Sequence, residues 1–161
     1  MRQGFKFFYP FLAVMLTAYI CSIFTDVGMD KWYNNIDKPS FVPPNVVFPV
    51  AWTVLYIMIA VSTFMVLQDA DSYNRKKANN IFIAQLFLQI LWCFVFFAQG
   101  HLGLGLAIIL LLDICVFTMI GVYAKVNKTA SYIIYPYYWW LIFATFMNSV
   151  FVYKYGLIMV F

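Results

Sequence analysis

Apolar residues in this chain fall into five long runs, separated by short polar breaks. The runs are Phe7 to Phe24, Phe48 to Leu67, Ile81 to Gln99, Leu102 to Ala124 and Tyr132 to Tyr155. Each approaches or exceeds the ~20 residues that a helix needs to cross a bilayer. In hydrocarbon a segment must satisfy its own backbone hydrogen bonds, so each run is expected to be an α-helix. The breaks differ in length. Gly100, His101 and Leu102 make little more than a tight turn, so the third and fourth helices are expected to be antiparallel neighbours. The long connection, Thr25 to Val47, contains Pro39, Pro43 and Pro44. Proline fixes φ and removes a donor, so this segment is read as a long Pro-rich loop and a candidate lid. The expected fold is an all-α membrane protein, a five-transmembrane-helix bundle with that loop between helices 1 and 2. Residues 1–161 form a single integral membrane domain in this reading.

Composition agrees. Of 161 residues, 65% are apolar and only 10% charged, where a soluble domain carries about a quarter charged. The N-terminal run resembles a signal peptide, but it is long for an h-region and has no small-x-small cleavage site, so a retained first helix is expected. The net charge of +4 is scattered over loops without a basic stripe, which argues against nucleic acid. Cys21, Cys93 and Cys115 all lie in apolar runs without metal-ligand spacing and are read as small packing residues. His101 is the sole histidine, which excludes a His-based metal site or catalytic triad within one chain.

Several polar and aromatic residues share helix faces. Gln85, Gln89, Trp92 and Phe96 follow at spacings of four, three and four. Trp140, Ala144 and Asn148 form a second stripe with a small residue in its middle; Trp52 and Tyr56 form a third. Spacing alone leaves two readings open. The amides are interhelical hydrogen-bond glue, or the stripes line a cavity for a flat apolar ligand. Asp113 is an acid inside a run, read as either a proton-relay group or a buried neutral acid. Gly103 and Ala107, with Gly105 between, form a small-residue patch fit for close helix contact, internal or between copies.

Read in order, these residues resemble the TspO/MBR family, also called translocator protein, tryptophan-rich sensory protein or peripheral benzodiazepine receptor family. The resemblance is carried by Trp32-Tyr33, Lys38-Pro39-Ser40-Phe41-Val42-Pro43-Pro44 and Pro49-Val50-Ala51-Trp52-Thr53-Val54-Leu55-Tyr56. Further on it is carried by Trp92 with Phe96-Phe97, by Pro136-Tyr137, and by Trp140, Phe143-Ala144 and Asn148. It spans roughly residues 26 to 155. It departs at Gln89, where the family usually has Asn, and at Phe41, where it usually has Trp. The resemblance implies a bundle with a pocket under the long loop, often as a homodimer, that binds porphyrins such as protoporphyrin IX or haem as ligand with no required cofactor. It assigns ligand binding to Trp32, Tyr33, Pro43, Phe48, Trp52, Tyr56, Gln89, Trp92, Phe96, Trp140, Ala144 and Asn148.

Three functions follow as expectations: a membrane tetrapyrrole-binding protein or sensor; light-dependent porphyrin breakdown with Trp52 and Trp140 as redox partners of the excited ring; or a small-molecule transporter, which the lack of repeats disfavours. The implied partners are the lipid bilayer and a tetrapyrrole or other flat apolar ligand.

Lysine and arginine set the expected orientation. Arg2, Lys6, Arg75, Lys76, Lys77, Lys125 and Lys128 fall on one side; Lys31, Lys38 and Lys154 fall on the other. The positive-inside rule then places the N-terminus in the cytoplasm, with the long loop and C-terminus outside. A reporter fused after Phe161 is expected to be active only outside the cytoplasm of a bacterial host; a cytoplasmic signal reverses the assignment.

Overall fold

The computed structural model describes residues 8–69 and 71–159. Its architecture is all-helical, with five main helices: α1 (Tyr9–Lys31), α2 (Val47–Asp69), α3 (Ser72–Cys93), α4 (Leu102–Ala124) and α5 (Lys128–Tyr155). A 3-10 turn, Tyr33–Asn35, follows α1, and α3 ends in a π-helical turn, Phe94–Ala98. The start of the first apolar run, Arg2, Lys6 and Phe161 lie outside the described residues.

Two features of the expected fold are corrected. Among the described residues four helices, not five, are long and apolar enough to cross a membrane. The fifth, α5, has 28 residues. Its length suffices, at about 1.5 Å per residue, but Tyr132, Tyr135, Tyr137, Tyr138, Trp139 and Trp140 dilute its apolar character. The second correction concerns the connection between helices 1 and 2, which is not a long Pro-rich loop. Thr25 to Lys31 continue α1, and Trp32 caps it by donating its backbone N–H to the Gly28 carbonyl at 3.1 Å. After the 3-10 turn only residues 36–46 are non-helical. They are folded by tight turns in which Val42 N–H bonds Pro39 O at 3.0 Å and Val47 N–H bonds Pro44 O at 2.9 Å. The prolines occupy only this second half. Asp26, Asp30 and Lys31 extend α1 rather than ending it, because polar residues are compatible with helix wherever the chain leaves hydrocarbon.

Local chemistry fixes the helix ends. Pro10 opens α1, where its missing N–H costs nothing. Asp71 caps α3 by accepting from Asn74 N–H at 2.8 Å, and Asn127 caps α5 by accepting from Ala130 N–H at 2.9 Å. Gly100, at φ 65°, turns the chain between the π-turn and α4.

Packing arranges the helices in a ring. α1 lies against α2, α2 against α5, α5 against α4, α4 against α3, and α3 with its π-turn against α1. Buried polar pairs tie the ring together. The Thr63 and Tyr123 hydroxyls are 2.9 Å apart, Ser62 Oγ donates to Ala130 O at 2.7 Å, and Ser131 Oγ donates to Ile120 O at 3.1 Å. The glycines expected to permit close contact make internal ones. A side chain at Gly103 would meet Leu157, and one at Gly105 would meet Phe96 and Asn148.

Gly28 marks the closest approach of α1 to the π-turn. A Cβ there would lie 2.6 Å from the Phe97 carbonyl oxygen and 2.8 Å from its carbon. Backbone cannot yield as a flexible side-chain tip does, so Gly28→Ala is expected to destabilise by roughly 1–3 kcal/mol. A Cβ at exposed Gly121 meets nothing within 4 Å, so Gly121→Ala is expected to be neutral or to gain up to about 1 kcal/mol. Melting curves of the two purified variants check both signs.

Candidate functional site: an aromatic cavity beneath the connection

The ring of helices is hollow at the end that carries the α1–α2 connection. A cavity of about 260 Å³ opens there between α1, α2 and α3. Its α1 wall is Ala18, Cys21, Ser22, Thr25, Asp26 and Met29; its α2 wall is Phe48, Pro49, Trp52, Thr53 and Tyr56. Gln89, Trp92, Cys93 and Phe97 close it from α3, and Tyr33 and Asn45 from the connection. Behind Tyr33, Phe48, Trp52, Trp92 and Phe97, all common to both spaces, lies a gap of about 30 Å³. It reaches α5 at Trp140, Ala144, Met147, Asn148 and Phe151.

The aromatic side chains hold one another edge-on. Trp52 meets Trp140 at 6.5 Å between ring centres and 89° between planes, and Phe48 meets Trp140 at 6.1 Å and 68°. Trp92 stacks on Phe96 at 5.4 Å. Such offset and edge-to-face pairs are favoured by the ring quadrupole. The floor is polar. Tyr137 Oη donates to Gln85 Oε1 at 2.9 Å and lies 3.5 Å from Gln89 Oε1, while Gln89 Nε2 donates to Cys93 Sγ at 3.8 Å.

Of the twelve residues assigned by resemblance, ten line one or both spaces: Tyr33, Phe48, Trp52, Tyr56, Gln89, Trp92, Phe96, Trp140, Ala144 and Asn148. Trp32 and Pro43 line neither. Trp32 is 2% exposed; its indole N–H donates to Phe97 O at 2.9 Å, and its ring sits edge-on to Tyr33 and Phe96. It anchors the end of α1 to the π-turn, satisfying a carbonyl that the helix end leaves free. Asn148 points away from Gln89: it accepts from Trp92 Nε1 at 3.4 Å and donates to Leu102 O at 3.0 Å, joining α5 to α3 and the first turn of α4. The slot at Ala144 is about the size of one water. Asp113 accepts from Thr145 Oγ1 at 2.8 Å and lines neither space.

The α1 wall escaped the sequence reading. Ala18, Cys21 or Ser22, Thr25 and Met29 recur at helical spacing, three small or polar positions followed by a methionine. A first helix that ends at Phe24 leaves out the last two, Thr25 and Met29.

Charge gathers at the mouth. Asp26 is exposed on the rim, and the Lys38 ammonium lies 4.7 Å from the centre of the Tyr33 ring. Burial pushes the Tyr33 phenol up to about 12, so it stays a neutral hydroxyl. Lys154 Nζ contacts both the Asp37 carboxylate and its backbone carbonyl at 2.7 Å, and Tyr155 Oη also donates to that carbonyl. The hydrogen bond from Lys154 holds the Asp37 carboxyl below its ordinary value. This lowered acid stabilises the clamp above the usual carboxylate range, and the contribution is lost only as pH falls through the still lower folded value. The connection is thus pinned to the end of α5. Among the described residues no cluster of three or more His, Cys, Asp or Glu side chains could hold a metal.

Comparison with known proteins places this architecture. The model of the TspO/MBR family matches residues 10–154. Over 137 residues the chain is 35% identical to the tryptophan-rich protein TspO of Archaeoglobus fulgidus, covering 85% of this chain and 88% of that protein. It is 32% identical to the tryptophan-rich sensory protein of Cereibacter sphaeroides, covering 74% and 73%. It is 27% identical to the human translocator protein, covering 85% and 82%. With its family model matched over nearly the whole chain, and with apolar helices long enough to cross a bilayer, this multi-pass membrane protein belongs to the TspO/MBR family.

Proposed function

We propose that this protein binds a planar tetrapyrrole of the porphyrin or haem type in the cavity beneath the α1–α2 connection. The observation that carries this reading is the aromatic lining: Tyr33, Phe48, Trp52, Tyr56, Trp92 and Phe97 converge on one enclosed space. Large flat apolar rings gain from stacking and edge contacts with such walls. The space of about 260 Å³ is just below the ~300–1,000 Å³ of typical ligand sites. The gap of about 30 Å³ in front of α5 adds little to it, so a tetrapyrrole enters only with outward movement of wall side chains such as Tyr33, Phe48 and Trp52. Its carboxylates stay at the mouth, where Lys38 attracts them and Asp26 repels them. A second reading, light-dependent breakdown of the bound ring, draws on the Trp52–Trp140 contact, two oxidisable indoles touching edge to face beside the space.

The test is an absorbance titration of the purified protein with protoporphyrin IX and with haem, in the dark and under illumination. Dark, saturable binding is expected, and its absence removes the reading. Loss of porphyrin absorbance in light that Trp52→Phe and Trp140→Phe both slow supports breakdown; equal loss in all three proteins rejects it. Ala18→Leu adds bulk to the α1 wall and is expected to weaken binding about tenfold or more, ~1.4 kcal/mol or above, at unchanged Tm. Native affinity in that variant moves the site elsewhere.

Asp26→Asn removes a rim carboxylate and is expected to tighten dicarboxylate porphyrin binding roughly 2–5-fold at low salt, with the gain fading as salt screens the exposed charge. A gain that persists at high salt, or a loss, contradicts the placement of the ligand carboxylates at this mouth.

A further inference from the structure

A second space flanks Trp140 on the lipid side. A groove of about 520 Å³ runs between α2 and α5, walled by Ala51, Val54 and Met58 on one side and by Pro136, Trp139 and Phe143 on the other. Every side chain that lines it is apolar apart from two indoles, and Val50, Val54 and Trp139 are exposed. From Val50 to Met58 it follows about 12 Å of helix at ~1.5 Å per residue. That is most of one leaflet's share of a ~30 Å hydrocarbon core. Of the residues lining this groove, only Trp140 also lines the inner gap beside Ala144. One indole stands between the lipid side and the interior. It meets the groove residue Phe143 at 5.7 Å between ring centres, and the inner residues Phe48 and Trp52 at 6.1 and 6.5 Å.

We propose that Trp140 is a gate through which a flat apolar ligand passes between the bilayer and the interior, by way of the α2–α5 groove. This rests on the reading that the cavity holds such a ligand. A flat apolar ring partitions into hydrocarbon and so reaches the protein from the bilayer. The groove meets it there with walls that have almost no polar groups to desolvate. The approach beneath the connection instead carries the Asp26 carboxylate, under a backbone tied down at Trp32 and Asp37.

The surroundings of Trp140 suit a moving ring. Among the described residues Trp32 and Trp92 are tied by indole hydrogen bonds, whereas Trp140 is held by ring contacts. The inner gap, about 30 Å³, is the size of one water and leaves the indole no room to swing inward. The groove gives it room to turn outward. The turn is a side-chain rotation on a continuous helix, so it needs no rearrangement of the backbone.

Ala51 and Phe143 line the groove and neither inner space, so they test the route without touching a bound ligand. The full-length protein is reconstituted in phosphatidylcholine vesicles, and exchange of protoporphyrin IX is followed in the dark by stopped-flow fluorescence. Ala51→Phe fills the groove and is expected to slow association and dissociation alike, by about fivefold or more. Phe143→Ala frees the groove side of the indole and is expected to speed both. A residue on the route but outside the bound site shifts both barriers equally, so Kd is expected to stay within about twofold of native in each variant. Native rates in both variants, or a changed Kd at native association rate, overturns the gate. A native protein without saturable binding removes the reading beneath it instead, and a second probe then decides the gate. A trifluoromethylphenyl diazirine dissolved in the bilayer and activated by light is expected to label the interior residues Gln89 and Trp92 in the native protein, and far less in Ala51→Phe. Label confined to lipid-facing residues such as Leu12, Leu16 and Phe117, or equal interior label in both proteins, overturns the gate whether or not a tetrapyrrole binds.

Discussion

The Phe97 carbonyl is the point on which the mouth of this bundle is built. It accepts the Trp32 indole N–H at 2.9 Å, and Gly28 approaches it so closely that a methyl group would not fit. The carbonyl is available because Phe97 lies in the last turn before the helix ends, where carbonyls have no intrahelical partner. That turn is π-helical, with Gln99 N–H bonding Phe94 O at 3.1 Å, and π-turns often accompany functional sites. Here the free group docks the end of α1. Tyr33, one residue beyond Trp32, is thereby set over the cavity, with Phe97 and Phe151 against its ring.

The connection is a short, stapled strap rather than a free lid. Trp32 holds it at the start, Lys154 and Tyr155 hold Asp37, and Asn45 Nδ2 donates to Asn34 Oδ1 at 2.8 Å across it. The amides on the helix stripes divide between the two roles that spacing left open. Gln85 cross-links α3 to α5 through Tyr137. Asn148 and Gln89 do both: Asn148 lines the inner gap while it bonds Leu102 and Trp92, and Gln89 lines the main cavity while it contacts Tyr137 and Cys93.

Where sequence reasoning failed, it failed for identifiable reasons. Asp26, Asp30 and Lys31 look like loop residues to a hydropathy reading, yet they are the solvated end of a helix whose backbone bonds continue to Lys31. Trp32, which the resemblance assigns to the ligand, lines neither space; it is buried, with its indole N–H on Phe97 O.

The sequence by itself determined that the chain is all-helical, the family and the positions at which aromatic stripes occur. Runs of apolar residues must become helices in hydrocarbon, and the Trp, Pro and Asn landmarks follow one another in a recognisable order. It did not determine which side of each helix faces inward. Lipid tails are as apolar as leucine, so the hydrophobic effect does not sort the faces of a membrane helix. On α1, Val14, Thr17, Cys21 and Gly28 turn inward while Leu12, Met15, Leu16 and Tyr19 turn outward, and polarity distinguishes them only weakly. That choice is made by shape: by a glycine that admits a carbonyl, an indole that reaches it, and side chains that fill the space between. The cavity and its α1 wall exist only once those contacts have formed.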